Sequence, residues 1–267
     1  MKKLMILSTG GTIACTQTSA GLIPTLSAGD ILTYLPDARA VGQIDTKTIF
    51  NLDSSNIQPE EWRLIAREVY ACIDEYDGVV VLHGTDTMAY TASMLSYMLR
   101  GLKKPVVITG SQLPIGHPDT DAKHNLGNAM LAALSGLCGV FVVFDGKIMR
   151  GCRVAKVRTT SQNAFESINS PVVGTVENGV VRLLAAPDAP TEAPALDEAI
   201  DPAVFLLKLI PGTKTEVFQA IGQMGYRGVV IEGFGLGCIH CLRRNLLDGI
   251  KQLLDAGVAV LLTTQCR

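Results

Sequence analysis

The sequence predicts an α/β protein built on parallel sheet, with a larger N-terminal domain and a smaller parallel α/β domain at the C-terminal end. Three observations predict it. Its short aliphatic runs do not alternate with polar residues, the pattern of strands covered on both faces. Each run is followed by a stretch of helical period. The pattern lapses once, in an Ala-, Pro- and acid-rich stretch, and then restarts.

The elements follow in order. "KLMIL" leads into the glycine turn "STGGTIA", and "TIFNL" into "DSSN". The helix in "IQPEEWRLIAREVYACIDEY" is well marked. Pro59 suits a first turn, Glu60 and Glu61 favour the positive end, and Trp62, Ile65 and Val69 repeat at helical spacing. "GVVVL" then leads into "HGTDT" and a helix, "KPVVITG" into "SQLPIGHPDTDAK" and a helix, and "GVFVVF" follows. Residues 1–184 form the first expected domain and 185–203 a linker. In 204–267 the strands "VFLLKLI", "GVVIEGF" and "VAVLLTT" are separated by two helices.

Composition narrows the function. The chain has 267 residues, 48% apolar but only 5% aromatic, so its core must be aliphatic. A charged fraction of 18% and a net charge of −2 without long runs argue against disorder, and against nucleic acid or an anionic membrane as partner. The apolar start Leu4–Leu7 is shorter than the roughly 7 residues of a secretory signal core. No stretch reaches the ~18 apolar residues of a membrane span. The expectation is a cytoplasmic protein whose seven cysteines are reduced.

In a parallel α/β sheet the strand-to-helix loops emerge at one edge, where ligands bind. Three such loops carry hydroxyls beside glycine or aspartate: "STGGT" (Ser8–Thr12), "LDSSN" (Leu52–Asn56) and "HGTDT" (His83–Thr87). Taken singly, each is best explained by helix capping. Taken together they hold more hydroxyls and carboxylates than three helix starts need. A pocket lined by Thr12, Ser54, Thr85 and Asp86 suits a small zwitterion, with Asp53 and Asp86 for its ammonium and hydroxyls and turn N–H groups for its carboxylate.

These motifs, with "PVVITGSQ", "FDGKIMRGCRVAKVRTTSQNAFESIN" and "TTQC", resemble the bacterial L-asparaginases, above all the cytosolic type I branch, along the whole chain. The resemblance implies an asparaginase/glutaminase-like fold and hydrolysis of L-asparagine to aspartate and ammonia, with no cofactor and no metal. It implies Thr12 as nucleophile, forming a β-aspartyl ester. Thr85 would hold or activate water with Lys156 as basic partner, Asp86 would bind the α-ammonium, and Ser54, flanked by Asp53 and Ser55, the α-carboxylate. It also implies a homodimer or homotetramer, and a regulatory asparagine site near Cys266. The family extends beyond "TTQC", so residues 204–267 are expected to be a truncated domain whose strand "GVAVLLTT" lacks helix cover on one face.

One departure stands out. Many members carry a tyrosine in the mobile loop after the first motif, and here Leu22 takes that place, leaving Thr16, Thr18 and Ser19 as substitutes. The competing functions are an asparagine- or aspartate-binding or sensing relative, and the amidase subunit of a transfer-RNA-dependent amidotransferase. The latter normally has a domain before the first motif, whereas the first strand here begins at residue 4. Other signals are weaker. "CIHC" (Cys238–Cys241) has redox spacing without a second pair, and in "GFGLG" Cys238 replaces the third glycine of a dinucleotide fingerprint. His83 is expected to pack or bond backbone, and His117, His124, Asp119 and Asp121 to form a capped loop rather than a metal site.

Overall fold

A computed structural model describes residues 1–19, 21–184 and 189–267, which fall into two units, Met1–Ala199 and Ile200–Arg267. The first unit opens with β1 (Lys3–Gly10), a hairpin of β2 (Cys15–Thr18) and β3 (Gly21–Pro24), α1 (Ala28–Thr33), β4 (Gln43–Leu52) and α2 (Pro59–Cys72). It continues with β5 (Gly78–Leu82), α3 (Met88–Met98), β6 (Leu99–Arg100), β7 (Pro105–Thr109), α4 (Ala122–Ala133) and β8 (Gly139–Phe144). Short strands complete it: β9 (Lys147–Arg150), β10 (Val154–Lys156), β11 (Phe165–Ser167), β12 (Gly174–Glu177), β13 (Val180–Leu183) and β14 (Ala195–Leu196).

The main sheet has the order β13-β12-β9-β8-β7-β5-β1-β4. From β8 to β4 it is parallel. Its strands are buried on both faces, as their unbroken aliphatic runs require. In β5, Val80 and Leu82 face a core shared with Ile31 of α1 and Leu126 and Met130 of α4. Val79 and Val81 face the opposite core, with Ile65 and Val69 of α2 and Met88, Ala92 and Leu95 of α3. Each such side chain contributes about 1.5–3 kcal/mol by leaving water. Helices therefore cover both faces. The chain leaves neighbouring strands β1 and β5 toward opposite faces, which opens a crevice at their carboxyl ends.

The sheet departs from the all-parallel expectation at one edge, where β9, β12 and β13 run antiparallel. The cause is local. Asp145–Gly146 and Asn178–Gly179 are two-residue turns with every φ between 49° and 76°, the left-handed conformation that closes tight hairpins. Of the compositional linker, residues 185–188 lie outside the described residues. Further along, β14 pairs with β6 and Arg67 forms an ion pair with Glu198, so the stretch as far as Ala199 belongs to the first unit.

The second unit is a parallel sheet of β15 (Val204–Lys208), β16 (Gly228–Gly233) and β17 (Ala259–Thr264), with α5 (Glu216–Gln223) and α6 (Leu246–Asp255). Phe218 and Ile221 of α5 and Leu246 and Leu253 of α6 pack with Leu207, Val229 and Ile231. The other face, where Leu206, Val230 and Leu261 are in register, is open: Leu206 is 54% and Leu261 61% exposed.

Candidate active site

Three loops meet at the carboxyl ends of β1, β4 and β5, and glycine lets them meet. Gly10 and Gly11 have φ of 99° and 73°, a region that side chains disfavour. Their contacts are closer still. A Cβ on Gly10 would lie 2.5 Å from Leu52 N, and one on Gly11 only 2.3 Å from Gly84 Cα and N. A Cβ on Gly84 would lie 2.5 Å from Ser54 Oγ. Gly11 N–H donates to Leu52 O at 2.8 Å, Thr9 Oγ1 to Leu82 O at 2.8 Å, and Thr87 Oγ1 to Ser54 O at 2.7 Å. Thr12 and Thr85 directly follow the two glycines in contact. Thr12 opens a short 3₁₀ turn, Thr12–Ala14, and is half-buried.

The polar groups are joined around Thr85. Lys156, on β10, donates to Thr85 Oγ1 at 2.9 Å and to Asp86 Oδ1 at 2.6 Å. Thr85 is 5% exposed and the Lys156 side chain 17%, whereas the Asp86 side chain is 62% exposed. The lysine is thus held within the site, and its carboxylate partner is open to a ligand.

The second loop divides its residues. Ser54 is buried against Gly84. Asp53 caps the following turn: its Oδ1 accepts from Ser55 N–H at 2.8 Å and Ser55 Oγ at 2.7 Å. Those bonds from the Ser55 side chain and backbone hold its carboxyl below the usual range. Asp53 and Ser55 are therefore engaged with each other, while Ser54 and Asp86 face the glycine junction and the lysine.

His83 is fully buried. Gly84 O can only accept, so His83 Nδ1 carries the proton and donates to it at 2.7 Å. Nε2 of the neutral ring then accepts from the Thr91 hydroxyl at 2.8 Å, while Trp62 Nε1–H donates to Thr91 Oγ1 at 3.0 Å. Burial pushes its pKa down to about 4, so the ring is neutral at pH 7. The expected backbone bond is present.

Gln112, which lies within a recognisable motif but draws no role from the sequence, belongs to the site. Its Oε1 accepts from Thr85 Oγ1 at 3.3 Å, and its Nε2 donates to Thr159 O and Ser161 O, both at 3.0 Å. Asp121 anchors it from behind, accepting from the N–H groups of Gln112 and Leu113 and from Asn125 Nδ2. His117 Nδ1 accepts from Asp119 N–H, and His124 pairs with Asn128. This is the capped loop expected of these residues. Among the described residues no group of three His, Cys, Asp or Glu is placed to hold a metal.

At the loop-tyrosine position, Leu22 lies in β3 opposite Gln17, 52% exposed. Two of the hydroxyl substitutes are engaged elsewhere: Thr16 Oγ1 with Thr25 Oγ1, and Thr18 Oγ1 with Gly21 O, both at 2.8 Å. Tyr34, to which no sequence motif points, lines a cleft of about 360 Å³ together with Leu22, Cys15 and Thr16. Cys238 and Cys241 are free and exposed, as is Cys266.

Against known families, residues 3–189 match the asparaginase N-terminal domain and residues 203–267 the glutaminase/asparaginase C-terminal domain. The chain belongs to the asparaginase family. Among curated asparaginase-family relatives, it is 45% identical over 251 residues to the L-asparaginase of the archaeon Thermococcus kodakarensis, covering 94% of this chain and 76% of that protein. A solved structure of that thermostable enzyme superposes with a TM-score of 0.93 at 44% identity, covering 99% of this chain and 80% of that one. L-asparaginase I of Vibrio cholerae gives 0.87 at 30% identity, covering 99% and 81%. The probable cytoplasmic L-asparaginase of Campylobacter jejuni gives 0.84 at 28%, covering 100% and 84%. The chain is also 36% identical to a glutamyl-tRNA(Gln) amidotransferase subunit of Pyrococcus abyssi, spanning all of this chain but 63% of that protein. The family is enzymatic and includes type I structures, but its bacterial members are not singled out, because the archaeal enzyme is more similar than these bacterial structures.

Proposed function

We propose that this chain hydrolyses L-asparagine to L-aspartate and ammonia through an ester on Thr12. The observation that carries the reading is the Lys156 bridge to Thr85 and Asp86, set beside the glycine junction that presents Thr12. An amide is a poor electrophile and a threonine hydroxyl a weak nucleophile, so the reaction needs proton relay and oxyanion donors close together. The open carboxylate of Asp86 takes the substrate α-ammonium, and hydroxyl and N–H groups of the Ser54 loop, whose turn Asp53 and Ser55 hold through their mutual bonds, take the α-carboxylate. Thr12 Oγ attacks the side-chain amide carbon, and N–H groups of the glycine turns meet the developing oxyanion. The proton lost by Thr12 is passed by way of Thr85 and Lys156 to the amide nitrogen, which leaves as ammonia. Water held at Thr85 then cleaves the ester: its oxygen bonds the carbonyl carbon, one of its protons goes to the Thr12 oxygen, and aspartate is released.

The reading places the site on a domain spanning 1–184, with 204–267 as the smaller domain of a cytoplasmic homodimer or homotetramer. Sedimentation of the purified chain tests the assembly. The deciding experiment is ammonia release from asparagine, run beside glutamine. Release from asparagine supports the proposal. Aspartate binding without release would instead make the chain a binding or sensing relative.

A further inference from the structure

The Gln112 carboxamide has a fixed orientation, and the direction of a proton in the site follows from it. Its nitrogen faces two carbonyl oxygens, Thr159 O and Ser161 O, each at 3.0 Å. Carbonyls only accept, so both N–H groups are used there and the amide cannot turn over without setting its oxygen against two others. Oε1 therefore faces Thr85, and as an acceptor it requires Thr85 to donate. With that proton committed, Thr85 Oγ1 meets Lys156 only as an acceptor, and the lysine must be the donor at 2.9 Å. The backbone leaves Gln112 little room, because its own N–H is bonded to the Asp121 carboxylate at 2.9 Å.

We propose that Gln112 is a positioning residue that holds the Thr85 hydroxyl proton away from Lys156 and ties that arrangement to the 158–163 loop. This inference rests on the asparaginase reading above and deepens it. In the resting site Lys156 serves as a donor to Thr85 and Asp86, and it accepts the Thr85 proton only once the bond to Gln112 is broken. The charged groups surrounding this pair are Lys156 and Asp86 at the hydroxyl, Asp121 behind the Gln112 amide, and the Arg158–Glu166 ion pair beside the loop.

The test uses the full chain with Gln112→Met, which keeps length but removes the acceptor for the Thr85 hydroxyl. For Gln112→Met, kcat for asparagine falls about fivefold or more while KM stays within about twofold, since Asp86 and Ser54 are untouched. A residue that merely clamped the loop would change melting temperature and KM and leave kcat in place. A kcat within about twofold of the wild type overturns the proposal.

A second measurement needs no turnover. In 15N-labelled protein the Gln112 carboxamide protons should exchange with solvent about tenfold slower than those of exposed Gln162, the equivalent of one modest hydrogen bond. Equal exchange overturns the inference whether or not the enzyme is active. Absence of ammonia release from the wild type, with slow exchange retained, overturns the asparaginase reading instead.

Discussion

Gly11 and Gly84 meet backbone to backbone, so closely that a Cβ on the first would stand 2.3 Å from the Cα of the second. This contact joins the two turns that carry Thr12 and Thr85. It predicts that Gly11→Ala is severe, since the substitution combines a disfavoured φ of 73° with a clash against rigid backbone. Overpacking and backbone strain together should cost about 2–5 kcal/mol. Urea unfolding measures the loss, and a change under about 0.5 kcal/mol, the size expected of a neutral surface substitution, would refute the junction.

Thr12→Ala should abolish ammonia release while leaving the unfolding midpoint nearly unchanged. Alanine has no nucleophile, and the half-buried threonine gives up little packing. Turnover at the parent rate would remove Thr12 from the mechanism.

Asp86→Asn should weaken asparagine binding by about 1.5–3 kcal/mol, the worth of a hydrogen bond to a charged group. The control is a ligand of the same shape without the α-amino group. Its affinity should change little, and an equal loss for both ligands would mean that Asp86 does not oppose the ammonium.

Stability should fall as pH drops from about 6.5 to about 4, through burial of neutral His83. The unfolded chain takes up a proton near the ordinary histidine value, and the folded ring does so only near 4. Its contribution is therefore complete above pH 6.5 and lost as pH falls through that window, by about 3 kcal/mol at most. Chemical denaturation at pH 7.5 and 4.5 tests this against His83→Asn, in which the amide nitrogen replaces Nδ1. The variant should show the smaller pH dependence, and equal slopes would contradict the assignment.

The parallel part of the fold was legible because "GVVVL" and "KPVVITG" permit only strands covered on both sides, and Val79–Leu82 are indeed buried between two helical layers. The antiparallel edge has its own signal, in "DG" at 145–146 and "NG" at 178–179, but two dipeptides weigh little against the aliphatic rhythm around them. The meeting of three hydroxyl-bearing loops followed from topology. The placement of Lys156 did not: β10 lies outside the main sheet, and nothing in "RVAKVRTT" states that its lysine turns inward to Thr85. Gln112 was hidden for the same reason, since its partners Thr85, Thr159 and Ser161 are far apart in sequence and joined only by tertiary structure.

The glycine junction has a consequence for how such a site changes over generations. Gly11, Ser54 and Gly84 come from three separate crossovers, yet each occupies space that a side chain on another would need. No excised fragment carrying one of these loops holds even a weak version of the pocket for selection to act upon. Nor can the loops diversify independently, because a methyl group gained on one must be matched by backbone retreat in its neighbour. Novelty in such a protein is confined to the residues around the junction, such as those at Leu22 and Tyr34, where the surface has room to vary.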